Sequence, residues 1–175
     1  IPAALDAPLA PPISVVVCTR DRAGSLARCL TSLAALDYPA YETIVVDSAS
    51  ATHDTEEVAR RFAVRYVREE RPGLDIARNR GLAEARHELI AYTDDDVIVD
   101  AGWLRGIAHA FADPDIGFVT GLVVPAELAT EAQLLFELRY GGMGKGMTAR
   151  IRRGAAMPPF DLIGAHHLGV GANMA

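Results

Sequence analysis

The sequence predicts an α/β protein with a mostly parallel β-sheet that is flanked by helices. Short apolar runs rich in β-branched residues recur along the chain, and segments with apolar residues at helical spacing separate them. Half of the 175 residues are hydrophobic, which is enough for one domain with its own core. This alternation of strand and helix indicates a doubly wound sheet.

The first elements follow from local composition. Residues 1–12, "IPAALDAPLAPP", are rich in Pro and Ala and predict an extended arm or linker. The run "ISVVVC" at 13–18 is typical of a strand that is buried on both faces of a parallel sheet. A helix is expected over 25–36, where apolar residues return at helical spacing and Asp21 or Ser25 is available as the cap.

The same patterns continue to residue 140. Apolar runs predict further strands over 42–47, 64–69, 88–93 and 116–125. Helical spacing predicts helices over 54–62, 73–86, 101–113 and 131–140. The core face expected on the 73–86 helix consists of Leu74, Ala77, Leu82 and Ala85. Beyond residue 125 the pattern weakens, and "GGMGKGM" and "RRGAAMPP" are typical of loops.

Composition limits the classes of binding partner and the cellular compartment that we expect for this protein. The formal net charge of −6 argues against a nucleic-acid-binding protein, because such proteins carry basic patches for the phosphates. Cys18 and Cys29 lack the spacing of a zinc site or a disulfide framework, so we expect buried free thiols in a reducing, cytoplasmic setting. No apolar run reaches the roughly 18 residues of a membrane span, and peripheral attachment to a membrane stays open.

Polar residues follow three of the predicted strands. They are Thr19, Arg20, Asp21 and Arg22 after the first, Asp47 and Ser48 at the end of the second, and Asp94, Asp95 and Asp96 after the strand at 88–93. The carboxyl ends of parallel strands share one edge of a sheet, and ligands of open α/β sheets bind outside that edge. We therefore expect these side chains to lie close together.

The three adjacent aspartates repel one another and require compensation. They are either a helix cap or a solvated face, or they bind a cation; we favour the cation because Asp100 is available to begin the next helix. Mg²⁺ prefers oxygen ligands and takes one or two carboxylates together with substrate phosphates. Since side chains alternate along a strand, Asp94 and Asp96 are expected on one side and Asp95 on the other.

Four segments in order resemble a known family. "VVVCTRDR", "IVVDSAS", "GLDIARNRGLAEA" and "LIAYTDDDVIVDAGWL" are similar to the signature segments of family 2 glycosyltransferases, over roughly residues 13–125. The resemblance implies the GT-A fold, a Rossmann-like α/β architecture. It also implies that Asp94 and Asp96 form a DxD motif that binds a divalent metal, Mg²⁺ or Mn²⁺, and the donor diphosphate, with Asp95 between them in the nucleotide site.

The resemblance assigns further residues to the nucleotide. Asp47 matches the acidic residue that contacts the base or ribose, and Thr19 and Arg20 match the strand-end residues that border the nucleotide. Arg78 and Asn79 lie on a helix whose start favours anions, so they are expected to reach phosphate or ribose. For Arg78, an exposed helical arginine is the alternative.

The function that the resemblance implies is transfer of a sugar from a nucleotide donor, with a UDP-sugar favoured, to an acceptor hydroxyl of a saccharide, lipid or protein. It implies a metal-assisted reaction that inverts the anomeric carbon. The alternative is a non-catalytic or truncated nucleotide-binding module. A dinucleotide-dependent oxidoreductase is disfavoured, because the first strand is not followed by a G-x-G-x-x-G turn.

The resemblance also implies a general base in an acidic pair downstream of a "G-x-N" segment. The chain ends at Ala175, directly after Gly171, Ala172, Asn173 and Met174. We expect that the sheet is incomplete at its C-terminus, that the base lies beyond Ala175, and that the chain is a piece of a longer protein. The expected organisation is an arm at 1–12, a nucleotide-sugar-binding core at 13–125 and, at 126–175, the start of an acceptor-side region that is partly loop.

Overall fold

The computed structural model describes residues 10–140 and 171–175. It divides into two compact units: the first runs to Val119 and includes Ala175, and the second is Thr120–Met174. Residues 1–9 of the predicted arm and the predicted loops "GGMGKGM" and "RRGAAMPP" lie outside the described residues.

In its described part, the first unit alternates strands and helices as the sequence predicts. The elements are β1 (Ile13–Thr19), α1 (Ala23–Ala34), β2 (Tyr41–Ser48), α2 (Asp54–Ala59), β3 (Arg65–Glu69), α3 (Leu74–Glu84), β4 (Leu89–Asp94) and α4 (Trp103–Ala110).

The strands of the first unit form a parallel sheet in the order β3-β2-β1-β4. β1 lies between β2 and β4, with Thr19 opposite Asp47 on one side and Cys18 opposite Asp94 on the other. The three strands therefore end at the same edge, which confirms the predicted α/β class and the mostly parallel sheet.

β1 is buried on both faces, as its continuous apolar run predicts. Ile13, Val15 and Val17 pack in one cluster with the apolar face of α1, while Val16 packs on the other side with residues of β2, β3 and α3. Full burial of one such side chain stabilises the fold by about 1.5–3 kcal/mol. The sheet is thus the middle layer between α1 and α4 on one face and α3 on the other.

The predicted strand at 116–125 is wrong. In the second unit, Thr120 forms an isolated bridge with Met174 of β5 (Asn173–Met174), and the amide of Gly121 donates to the Asn173 carbonyl at 3.0 Å. The rest of that segment forms no regular strand. Val124 lies exposed, because an apolar run becomes a strand only where a partner backbone accepts its hydrogen bonds. The second unit also contains α5 (Glu131–Tyr140), as predicted.

The core face predicted for α3 is also wrong in part. Ala77 is buried as expected, but Leu74 and Leu82 are about half exposed, and Gly81 takes their place against the sheet. A Cβ atom on Gly81 would lie 2.3 Å from Cγ1 of Val16. The helix approaches β1 so closely that only its smallest residues fit on the buried face.

Both cysteines are free, and Cys29 is buried while Cys18 is partly exposed. Burial raises the pKa of each thiol to about 12. Among the helices of 10–140 and 171–175, we find none that combines the length and the apolar character required to cross a membrane.

A charged network lies near the amino ends of the strands. Glu42 of β2 accepts hydrogen bonds from the Ser14 hydroxyl (2.8 Å), the Arg86 amide (2.8 Å) and the Arg65 guanidinium (3.1 Å). Arg65 also binds the Glu84 carboxylate at 3.0 Å. Burial acts to raise the pKa of Glu42, but the hydrogen bonds and Arg65 outweigh it and leave that pKa below its ordinary value.

The substitution Gly81→Ala is expected to lower the free energy of unfolding by about 1–3 kcal/mol, because the new methyl group overlaps the stiff side chain of Val16. The matched control is Gly106→Ala in α4, where nothing lies within 4 Å of the added Cβ. That change is expected to stabilise by about 0.5–1 kcal/mol. Urea unfolding of the two variants measures both effects, and equal changes would contradict the close approach of α3.

Glu42→Gln is expected to remove an acid-sensitive part of the stability. Because the folded pKa lies below the unfolded value of roughly 4.3, ionised Glu42 stabilises the fold fully above that value and loses its effect as the pH falls through the folded pKa. At pH 7 we expect a loss of about 1–3 kcal/mol.

The measurement is urea unfolding of wild type and Glu42→Gln between about pH 3 and pH 7, with the difference shrinking towards the acid end. Glu57→Gln, at an exposed position of α2, is the control and is expected to change little. A Glu42→Gln effect that stayed constant across this range would contradict the lowered pKa.

Candidate functional site

The carboxyl edge of the sheet brings together the polar ends of β1, β2 and β4. Asp47 and Asp94 lie on either side of β1, two strand spacings or about 10 Å apart. This is the edge at which ligands of parallel sheets bind. The co-location predicted from the sequence is therefore present in the fold.

The three aspartates differ sharply in exposure. Asp94 ends β4, and Asp95 and Asp96 lie in a turn closed by the Val97 amide, which donates to the Asp94 carbonyl at 3.3 Å. The side chains of Asp94 and Asp96 are 41% and 48% exposed, whereas that of Asp95 is 4% exposed. Exposure therefore alternates along the triplet, although a turn rather than the strand produces this pattern. That Asp94 and Asp96 lie on one side stays a prediction.

Asp95 is a buried carboxylate that holds β1 to β4. It accepts a 2.7 Å hydrogen bond from the Thr19 hydroxyl and lies 2.9 Å from Nη1 of Arg22. Burial raises the pKa of Asp95, and the Thr19 hydrogen bond and Arg22 act in the opposite direction. A direct nucleotide contact by Asp95 or Thr19 stays a prediction; what the structure shows for both is this buried hydrogen bond.

Arg22 lies among the polar residues that the sequence places at the end of β1, but the sequence analysis assigned it no role. While its Nη1 contacts Asp95, its Nη2 binds Asp96 at 2.7 Å. The hydrogen bond to Asp96, with Asp95 acting in the same sense, raises the pKa of Arg22, so the guanidinium is charged. The repulsion within the aspartate triplet was the available signal, because it requires a cation and Arg22 follows the strand that pairs with β4.

A second arginine approaches the triplet from α3. Arg78 Nη2 lies 3.7 Å from Oδ1 of Asp94, and Nη1 lies 3.9 Å from Oδ1 of Asp75. Burial raises the pKa of Asp94, which Arg78 opposes. Arg78 is therefore directed to the aspartates rather than to bulk solvent. Asn79 is exposed on the same helix, and no hydrogen bond joins it to the other site residues that the structure describes.

Asp47 is fully enclosed at the end of β2. Its Oδ1 accepts from the Ser50 amide at 2.8 Å, and its Oδ2 accepts from the Tyr66 hydroxyl at 2.7 Å and lies 3.5 Å from Arg68. Burial, and then this contact with Asp47, raises the pKa of Tyr66 to about 12. Contact of Asp47 with a base or ribose stays a prediction. Arg68 also donates to the Ser50 carbonyl at 3.0 Å, and both Arg68 and Tyr66 are partly exposed.

The loops after β1 and β2 are joined by hydrogen bonds. Asp21 and Ala49 both have a positive φ, 53° and 55°, in the left-handed region. The Asp21 amide donates to the Ser50 hydroxyl at 2.9 Å, and the Ala51 amide donates to the Asp21 carboxylate at 2.6 Å. Asp21 thus joins two loops instead of capping α1, and neither Asp21 nor Ser25 supplies the predicted cap. Arg20 is exposed in this region, 3.7 Å from Asp21.

The exposed donor atoms at this edge are hard carboxylate oxygens, the type of ligand that a divalent cation such as Mg²⁺ prefers. Two carboxylates, those of Asp94 and Asp96, are open to solvent at the edge of the sheet. Among residues 10–140 and 171–175, no group of three or more His, Cys, Asp or Glu side chains is arranged to hold a metal ion. One or two carboxylates, with water and substrate phosphates, are the usual protein ligands of Mg²⁺.

A parallel sheet of this order belongs to the doubly wound class of α/β folds, whose ligands bind outside the carboxyl ends of the strands. The family model described as glycosyl transferase family 2 matches residues 14–151. This chain belongs to glycosyl transferase family 2, which confirms the resemblance.

Individual glycosyltransferases are also similar to this chain. Glycosyltransferase AglE of Haloferax volcanii is 31% identical over 107 residues, which are 56% of this chain and 35% of AglE. The mannosyltransferase PcManGT of Pyrobaculum calidifontis, solved with GDP-Man and Mn²⁺, is 31% identical with a TM-score of 0.61, over 69% of this chain and 39% of that one.

TarS of S. aureus, solved as residues 1–349 with UDP-GlcNAc, supports the fold alone: its TM-score is 0.57 at 24% identity, over 69% of this chain and 37% of that one. This chain therefore spans little more than a third of the length of AglE, PcManGT and this part of TarS.

Tyr66→Phe is expected to lower the free energy of unfolding by about 1–3 kcal/mol, because the buried Asp47 carboxylate loses a donor. Tyr92→Phe is the control, since the Tyr92 hydroxyl makes only a long 3.4 Å contact with the Arg78 carbonyl. It is expected to cost about 0.5 kcal/mol or less. Chemical unfolding at pH 7 distinguishes them, and equal costs would show that Tyr66 does not support Asp47.

Proposed function

We propose that this chain binds a nucleoside diphosphate sugar at the carboxyl edge of its sheet, as the donor site of a glycosyltransferase. The observation that carries the proposal is the placement of two exposed carboxylates, Asp94 and Asp96, beside the enclosed Asp95 at the end of β4. Membership of glycosyl transferase family 2 supports a donor of this kind.

Asp94 and Asp96 hold a divalent ion, Mg²⁺ or Mn²⁺, in this proposal. Their exposure and hard oxygen donors support it, as does the presence of Mn²⁺ and GDP-Man together in PcManGT. When bound, such an ion acts as a Lewis acid that stabilises negative charge on the departing diphosphate.

The other residues predicted to bind the donor form two groups along the carboxyl edge of the sheet. Thr19, Arg20 and Asp47, at the ends of β1 and β2, form the side proposed for the nucleoside, and Arg78 with Asn79 forms the side proposed for ribose or phosphate. The 3.7 Å separation between Arg78 and Asp94 supports this division, since a guanidinium next to metal-binding carboxylates is placed for phosphate.

The proposed reaction is a single displacement with inversion. The acceptor hydroxyl oxygen forms a bond to the anomeric carbon as the bond from that carbon to the diphosphate oxygen breaks. The hydroxyl proton passes to a general base, a role that we assign to none of the described residues. A UDP-sugar is the proposed donor, and the acceptor is a hydroxyl of a saccharide, lipid or protein.

Calorimetric titration with UDP in the presence of Mn²⁺ tests the site. Asp94→Asn and Asp96→Asn are each expected to weaken Mn²⁺-dependent UDP binding by at least about tenfold, because each removes a charged ligand worth roughly 1.4 kcal/mol or more. Asp54→Asn, an exposed aspartate at the start of α2, is the matched control and is expected to bind like wild type.

Equal binding by wild type and both site variants would contradict the metal role of the aspartates. Tighter binding of GDP than of UDP would show that the donor carries guanine rather than the proposed uracil. A full-length protein that binds nucleotide but transfers sugar from no donor would favour the non-catalytic module.

A further inference from the structure

The geometry of the contact between Arg22 and the aspartate triplet indicates a second role for Arg22 besides charge compensation. One guanidinium bridges two carboxylates of very different exposure: Asp95, which is enclosed and also held by Thr19, and Asp96, which is about half exposed. The Arg22 side chain is itself 51% exposed. The ion pair between Arg22 and Asp96 can therefore break without leaving a buried carboxylate unpaired.

We infer that Arg22 is a latch that exchanges partners when the donor binds. Without donor, it occupies Asp96 and competes with a divalent ion for that carboxylate. With donor, it releases Asp96 and binds the diphosphate. The inference rests on the proposed function, since it assumes that the ion and the diphosphate meet at Asp94 and Asp96.

Competition follows from the distances. The Nη2 atom of Arg22 lies 2.7 Å from Oδ2 of Asp96, which places a full positive charge against the oxygen that an ion would need. An exposed ion pair of this type contributes only a small free energy, so that a ligand can displace it. Competition of this size lowers the affinity for a free ion without preventing the binding of an ion that arrives with a diphosphate.

The location of Arg22 supports its second partner. It lies directly before α1, and the first turn of that 12-residue helix contains no acidic side chain. The amides of a helix start and an arginine together favour an anion. Arginine also binds phosphate in a fork geometry that matches its contact with two carboxylates. Arg22 can therefore move between two acidic partners while its backbone stays in place.

The test uses Mn²⁺ and UDP as separate probes on Arg22→Gln. Binding of Mn²⁺ alone, followed by electron paramagnetic resonance of the free ion, is expected to tighten about two- to fivefold because the competing charge is removed. Binding of UDP at saturating Mn²⁺, followed by calorimetry, is expected to weaken about ten- to hundredfold because a charged contact with phosphate is lost. A general structural defect would weaken both.

The matched control is Arg28→Gln, an exposed arginine on α1, which is expected to leave both affinities unchanged. Arg22→Lys keeps the charge but lacks the planar fork of donors that binds phosphate bidentately, so it is expected to recover part of the UDP affinity. Thermal unfolding of each variant establishes that it is folded.

Opposite changes in the two affinities support the latch. Weaker or unchanged Mn²⁺ binding by Arg22→Gln, or unchanged UDP binding, would overturn the latch. The donor site itself would still be supported if the wild-type protein bound UDP and Asp96→Asn lost that binding. Failure of the wild-type protein to bind either Mn²⁺ or UDP would instead overturn the proposed function.

Discussion

The parallel pairing of β1 with both β2 and β4 is the constraint on which the site depends. It places the end of β1 between two acidic strand ends, with Thr19 opposite Asp47 and Cys18 opposite Asp94. A shift of β1 by one residue would move each of its side chains to the opposite face of the sheet and separate Thr19 from Asp95. Packing opposes such a shift, because Val16 fits closely against Gly81 of α3, whereas Ile13, Val15 and Val17 pack with α1 on the other face.

The carboxyl edge illustrates how a protein keeps several acidic groups close together. Two of the carboxylates, Asp47 and Asp95, are enclosed, and each is stabilised by hydrogen-bond donors from other parts of the chain. An enclosed charge of this kind requires partners, since its transfer from water is costly. Asp94 and Asp96 stay open to solvent and are approached by arginines from other elements. The edge therefore combines an inner layer of buried, hydrogen-bonded carboxylates with an outer layer of carboxylates that are open to solvent.

Close packing of α3 sets the position of the second arginine. Because Ala77 and Gly81 form the buried face, the helix lies almost directly on β1. Arg78 follows Ala77 on the same turn, and the short helix-to-sheet distance brings its guanidinium to Asp94. A larger residue at 81 would move the helix away from the sheet, and the arginine with it. Packing in the core and charge at the edge are thus linked through a glycine.

Much of this organisation can be derived from the sequence alone. Periodicity is a local property, so the buried strand at β1, the alternation of strands and helices and the acidic end of β4 all follow from residues that are neighbours in the chain. Parallel topology then brings the ends of β1, β2 and β4 to one edge. The family could also be identified from ordered segments, and the match over residues 14–151 confirms it.

Only the tertiary structure decided which residues face one another. The apolar segment at 116–125 has the composition of a strand, but a strand requires a partner along its length. Among the described residues, that segment pairs with a distant backbone segment only at Val119, Thr120 and Gly121. Likewise, Leu74 and Leu82 have the right spacing for a core face. The buried face of α3 contains Gly81 instead, because the helix lies too close to β1 for a larger side chain. Arg22 meets Asp95 and Asp96 across more than 70 residues of sequence. Contacts of this kind depend on how separate elements pack, and no local pattern contains that information.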